Sequence, residues 1–203
     1  MKTILALAAH PDDLEIGCGG TLAQHAARGD KVHIYIATAG DIGGEGEIRR
    51  AEQVASAKIL GVTDVHWGGF GDTRLPESAI ALMADLERVV QHICPDTVYV
   101  NYQDDTHQDH RVIAQVARSV TRYIANVLYY ETPSTIGFEP TVFMDICDTL
   151  PIKLKALEAH DSQIDRTHIR LNIIEIAMAT TNFRGVQAKM SCAEAFVPIR
   201  MRL

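Results

Sequence analysis

Two short stretches gather the residue types that metal-dependent chemistry needs. The first, "AHPDDLEIGCGGTLA" from Ala9, sets His10 beside Asp12 and Asp13. The second, "THQDHR" from Thr106, supplies His107, Asp109 and His110. Adjacent carboxylates repel one another, so a chain that keeps two together gains something from their charge. A divalent cation relieves the repulsion. Catalytic zinc commonly takes three protein ligands from His and carboxylate and leaves one position for water. Two imidazoles and one carboxylate meet that count, and the neighbouring carboxylate is then free to take a proton from the activated water. Taken singly, each residue has a plainer use, and an Asp in such a loop commonly caps a helix. Thr106 stands where it would cap the helix that opens with the second stretch, with His107 and His110 on one side of the first turn.

Both stretches must be held at strand ends for this to work. Strand-like runs are Thr3 to Ala9, "KVHIYIAT" from Lys31, "VHWGG" from Val65, "TVYVN" from Thr97, "NVLYYE" from Asn126 and "TVFMDI" from Thr141. Helical patterns lie between them: Gly19 to Arg28, "EIRRAEQVASAKILG" from Glu47, "ESAIALMADLERVVQHI" from Glu77, "DHRVIAQVARSVTRYI" from Asp109, Pro151 to Gln163, and His168 to Thr181. The alternation predicts a single α/β domain over residues 1–203, a Rossmann-like three-layer sandwich with a mostly parallel sheet. Ligands in such folds bind beyond the carboxyl ends of the strands, where both stretches fall.

The composition narrows the partner. A formal charge of -7 with scattered Lys and Arg lacks the basic stripe of a nucleic-acid surface, which leaves a small molecule. No apolar run approaches the roughly 20 residues of a membrane span, so a cytoplasmic protein without membrane insertion is expected. Cys18, Cys94, Cys147 and Cys192 lie far apart and read as reduced thiols. Self-association is left open. Gly17, Gly19 and Gly20 invite comparison with a dinucleotide-binding turn, but the third position of that pattern is Leu22 and the charged motif stands where pyrophosphate should approach bare backbone. A two-His-one-carboxylate iron site from His10, Asp12 and His110 leaves Asp13 and His107 without roles. His25, His33, His66, His92, His160 and His168 are isolated and read as surface or core residues.

Together, "AHPDDLEIGCGGTLA" and "THQDH" resemble the A-H-P-D-D and H-x-D-H motifs of the zinc-dependent N-acetylglucosaminyl deacetylases of the LmbE-like (PIG-L) family. "RRAEQVASAKILGV", "KALEAHDSQI" and "FRGVQAKMSCAEAFVPIR" extend the likeness over nearly the whole chain. The resemblance implies one Zn2+ per chain, with other divalent ions able to substitute, held by His10, Asp13 and His110. It makes Asp12 the general base. His107, oriented by Asp109, is the histidine that protonates the leaving amine or stabilises the oxyanion. Arg49 binds substrate, its plainer alternative being a solvated charge paired with Glu45 or Glu52. The implied activity is hydrolysis of the acetamide of an amino sugar or glycoconjugate; relatives that cleave larger amides or hydrate unsaturated acids supply the alternatives. Cys192 stands where many relatives carry an aromatic residue, often Tyr. Tyr130, Glu131 and Ser134 either line the pocket or shape a turn around Pro133, and Gly43, Gly44 and Gly46 form either a lid or a simple loop.

Overall fold

The computed structural model describes residues 1–167 and 169–202. Among these, seven strands form one sheet: β1 (Thr3–Ala8), β2 (Lys31–Thr38), β3 (Asp64–Phe70), β4 (Thr97–Asn101), β5 (Asn126–Tyr130), β6 (Val142–Asp145) and β7 (Ala193–Arg200). Their order is β3-β2-β1-β4-β5-β7-β6. The first five run parallel, and β7 and β6 close the edge antiparallel. The six helices are α1 (Asp13–Ala27), α2 (Gly46–Leu60), α3 (Ala79–Ile93), α4 (Gln108–Val120), α5 (Leu150–Glu158) and α6 (Ile173–Ala188), with 3-10 turns at Leu75–Ser78 and Asp161–Gln163.

The central strand is apolar on both sides because both sides are covered. Leu5 and Leu7 of β1 pack with Leu82 and Leu86 of α3 and Ile113 and Ala117 of α4. Ile4, Ala6 and Ala8 face Leu14 and Leu22 of α1 and Ala57 of α2. The α/β sandwich expected from the sequence is therefore the one observed. β1 lies between β2 and β4, so the strand order reverses at β1 and β4, which is where such sheets open a crevice. Both motifs leave from these two strands.

Three elements differ from their sequence reading. Helix α1 begins at Asp13, not Gly19, but it breaks at Cys18, whose φ of -146° is not helical. The break frees backbone groups that partners from far along the chain satisfy. Glu194 of β7 accepts the N–H groups of Gly20 (2.9 Å) and Thr21 (2.7 Å). Buried Lys153 of α5 donates to Ile16 O (2.7 Å) and to Glu194 (2.6 Å). The glycines here serve close packing. A Cβ on Gly17 would lie 2.1 Å from the Tyr130 ring, and one on Gly20 would lie 2.9 Å from Ile146 Cβ.

The last strand is absent from the sequence reading: "AEAFVPIR" carries Pro198, and proline cannot donate to a ladder. β7 tolerates it at an irregularity, where the register with β5 shifts between Val127 and Leu128 and Leu128 stands opposite Pro198. The helix expected from His168 starts instead at Ile173, behind a capping box of Asn172 and Glu175, and runs to Ala188; His168 lies outside the described residues. The cysteines also depart from expectation. Asp145 pairs with Ala193 on β6 and β7, and the residues just beyond bring the sulfurs of Cys147 and Cys192 into contact, with Cα atoms 5.5 Å apart, a separation that a disulfide spans. Cys18 and Cys94 are free. No helix among the described residues is long and apolar enough to cross a membrane.

Candidate active site

Loops from the carboxyl ends of the five parallel strands meet over a cleft of about 410 Å³ lined by His10, Asp12, Asp13, Asp72, His107 and His110, among others. His10 follows β1, and His110 lies in the first turn of α4 after β4. His10 Nδ1 is 3.2 Å from His110 Nε2. Asp13 Oδ1 lies 3.2 Å from His110 Nε2, and Asp13 Oδ2 lies 3.7 Å from His10 Nδ1. Ligands at zinc bond lengths of about 2.0–2.1 Å in tetrahedral arrangement lie about 3.3 Å apart, so the two imidazole nitrogens have the spacing that a shared metal ion requires, and the Asp13 carboxylate offers one oxygen to each of them.

The far sides of the rings explain which atoms face inward. His10 Nε2 is 3.0 Å from Asp72 and 3.2 Å from Asp109, and His110 Nδ1 is 3.1 Å from Asp105. These carboxylates take the ring N–H groups and leave His10 Nδ1 and His110 Nε2 as lone pairs aimed at each other and at Asp13. Three acceptors converging without a donor among them call for a cation, and this donor set of two imidazoles and one carboxylate suits zinc. Without the ion, protons take its place. Burial pulls His10 down, yet Asp109, Asp13 and Asp72 outweigh it and hold the ring well above the ordinary histidine range. His110 is depressed by burial but lifted by Asp13 and Asp105 to about 9. Burial alone would raise Asp13; His110 and His10 hold it well below the usual carboxylate range. Asp72 is likewise brought to about 2, the effect of burial being overcome by His10 and backbone N–H groups.

Asp12 stands apart from the ligand set. Its φ of 80° is left-handed, a strained choice for a non-glycine residue, and it turns Asp12 away from its neighbour while Asp13 opens α1. Burial pushes its carboxyl up to about 6, against the pull of Arg49 and His160. Arg49 is not a solvated charge: it lines the cleft with its Nε unpartnered while its other nitrogens are engaged within the protein. It is buried, and donates to Gly40 O (2.8 Å), Pro11 O (2.8 Å) and Asp12 Oδ2 (3.0 Å). Glu52, its sequence-level partner, instead accepts from Ser162.

His107, half-buried at the rim, is the N-cap of α4 in place of Thr106: its Nδ1 accepts the Asp109 N–H at 3.2 Å. Its ring is 4.5 Å from that of His10 and 4.8 Å from that of His110, centroid to centroid. Burial, then His10 and His110, lower its pKa. The Asp109 carboxylate does not reach His107. It accepts from Thr73 N (2.7 Å) and Leu75 N (3.1 Å) and backs His10. Asp109 is thus placed behind the other histidine, because the first turn of α4 aims it inward at the end of β3.

Of the flanking residues, Ser134 lines the cleft with Thr132 and Pro133. Tyr130 is buried, its hydroxyl 2.9 Å from Leu7 O and 3.0 Å from Asn101, and Glu131 pairs with Arg184 at 2.6 Å. Gly43 lines the cleft, and its loop is tied on two sides, by Ile42 N–H to Asp72 (2.9 Å) and by Gln163 to Gly43 O (3.3 Å). Cys192 touches Cys147 and is not among the cleft residues. Asp72 and Asp105 are site residues that the sequence reading lacks. Asp72 in "GFGDTR" follows a strand end, which is the available signal, and Asp105 is hidden inside a stretch dominated by its histidines.

A parallel sheet with a His/Asp metal-type site at its switch point defines the class, and comparison with known proteins agrees. The model of the family described as GlcNAc-PI de-N-acetylase (PIG-L) matches residues 5–121, and the chain belongs to this family. It is 37% identical over 169 residues to YaiS of Escherichia coli K12, described as an uncharacterized deacetylase, covering 79% of this chain and 91% of that protein. It is 27% identical over 222 residues to the 4-oxalmesaconate hydratase of Pseudomonas putida, covering 93% and 81%. The solved N,N'-diacetylchitobiose deacetylase of Pyrococcus horikoshii superposes with a TM-score of 0.85 at 26% identity over 98% of this chain and 84% of that one.

Proposed function

We propose that the protein is a zinc-dependent hydrolase that removes the acetyl group from an N-acetylated amino sugar or glycoconjugate. The observation that carries this reading is the convergence of His10 Nδ1, Asp13 and His110 Nε2, with a separate buried carboxylate, Asp12, beside them. Zinc bound by those three residues would lower the pKa of a water toward about 7 and polarise the acetyl carbonyl. Asp12 takes the proton of the attacking water, for which a carboxyl near neutrality is suited. His107 accepts a backbone N–H at Nδ1 and so carries its own proton on Nε2, making it a neutral donor to the carbonyl oxygen as that becomes an oxyanion. Asp12, holding the proton it has taken, delivers it to the departing amine. Arg49 keeps Asp12 in place throughout.

The hydratase reading finds less support. The cleft holds Asp12, Asp13 and Asp72, and among the described residues its arginine, Arg49, is engaged by Asp12 and two carbonyls, which leaves the cation as the main counter-charge for an unsaturated polycarboxylate. The test is release of free amine from N-acetylglucosamine and diacetylchitobiose, with and without chelator. No amine from any N-acetylated sugar, with turnover of an unsaturated acid instead, would overturn the proposal.

A further inference from the structure

Behind the cleft lies a buried polar cluster that makes no contact with metal-type ligands through its side chains. Glu15 of α1, Gln53 and Ser56 of α2, and His160 after α5 are each fully buried. Glu15 Oε1 accepts from Gln53 Nε2 at 2.7 Å and from Ser56 Oγ at 2.6 Å. Its second oxygen faces His160 Nε2 at 3.5 Å, and neither that oxygen nor either His160 ring nitrogen has another partner. Buried polar groups of this kind are costly unless they complete one another. The pairing has a direction. Because the carboxylate can only accept, Gln53 must turn its NH2 toward Glu15, and its carbonyl oxygen therefore faces the Asp12 N–H, 3.2 Å away. That N–H belongs to the residue held at a φ of 80°.

We propose that Glu15, backed by His160, is a positioning residue that locks the Gln53 amide in the one orientation able to accept the Asp12 N–H. It thereby fixes the left-handed turn that separates the proton-accepting Asp12 from the ligand Asp13. The substitution Glu15→Gln loosens the lock: only a carboxylate accepts at both oxygens, whereas the new side chain can also turn its NH2 toward Gln53, whose amide is then free to flip and point a donor at the Asp12 N–H. Exchanging the two partners restores the logic. In a Glu15→Gln/Gln53→Glu protein the carboxylate, moved to α2, accepts both from the amide that replaces it on α1 and from the Asp12 N–H. A role in filling space alone would not respond to this exchange.

The inference rests on the hydrolase reading only for its kinetic arm, so the first readout needs no substrate. Hydrogen exchange of the Asp12 amide, followed by NMR, should accelerate at least 10-fold in Glu15→Gln and return toward the wild-type rate in the double variant. On an N-acetylated sugar, kcat should fall on the order of 100-fold in Glu15→Gln with KM within about 3-fold, and the double variant should recover most of it. Unchanged Asp12 exchange in a folded Glu15→Gln protein would overturn the inference, as would a double variant no better than the single. Should Glu15→Gln not fold, Gln53→Met removes the acceptor while keeping chain length, and protection of the Asp12 amide there would refute the same contact. Absence of deacetylation by wild-type protein counts against the proposed function and leaves the exchange result standing.

Discussion

In the proposed mechanism the two adjacent aspartates do different work, and one backbone torsion, the Asp12 φ of 80°, separates them. Asp12→Asn should keep its zinc and lose about 100-fold to 10,000-fold in kcat, the range for removing a general base; turnover near wild type would remove Asp12 from the mechanism. Since Asp12 must be ionised to accept a proton, activity should climb as pH rises through its pKa. Burial sets that value at about 6 in the metal-free protein, and a nearby cation draws it lower, so the ascending limb of kcat/KM belongs at or below pH 6. Arg49 holds the value down, so Arg49→Ala should move the limb to higher pH and lower kcat more than it alters KM. An unmoved limb with a raised KM would return Arg49 to the substrate. At this scale the sequence was most informative: charged residues clustered at strand ends have few structural reasons to be there. It could not show that Asp109 serves His10, because both histidines lie within reach of α4's first turn and only the loop carrying Thr73 and Leu75 decides between them. Arg49's engagement with Asp12 was equally hidden, for it depends on how α2 docks across the first loop.

At the scale of elements, strands and helices with strong periodicity were legible to within a few residues, and the exceptions share a cause. α1, β7 and α6 are shaped by partners distant in sequence, so local pattern could not announce them. The broken α1 depends on Lys153 and Glu194, a buried ion pair whose loss on one side leaves an uncompensated charge. Lys153→Met should lower the unfolding free energy by about 3–5 kcal/mol, read from urea titration. A shift below about 1 kcal/mol, the size expected of an exposed pair, would show that the buried pair does not form in solution. Cys192 was legible as an unusual residue but not as the neighbour of Cys147, since the β6–β7 pairing that joins them needs a strand interrupted by proline.

For the whole molecule, the proposed cation and the fold would support each other. In the metal-free site, His10 and His110 keep protons that the ion must displace, so occupancy should rise with pH and collapse in acid, with protons released on loading. Ligand binding at about 1,000 times its dissociation constant adds about 4 kcal/mol of stability, which for a chain of this size is on the order of 10 °C in melting temperature. A calorimetric scan with and without chelator measures this, and equal transitions would mean that the described histidines hold no ion. The overall architecture was readable because alternating strands and helices admit few arrangements. The helix that begins inside the first motif, however, has its broken turn completed by Glu194, 174 positions after Gly20. A ribosome therefore delivers the first motif 174 residues before the group that finishes its helix. Nascent chains arrested before β7 should carry every proposed ligand and still fail to retain zinc, so on the proposed reading metal acquisition waits for β7, and a factor that offered the ion before then would arrive too early.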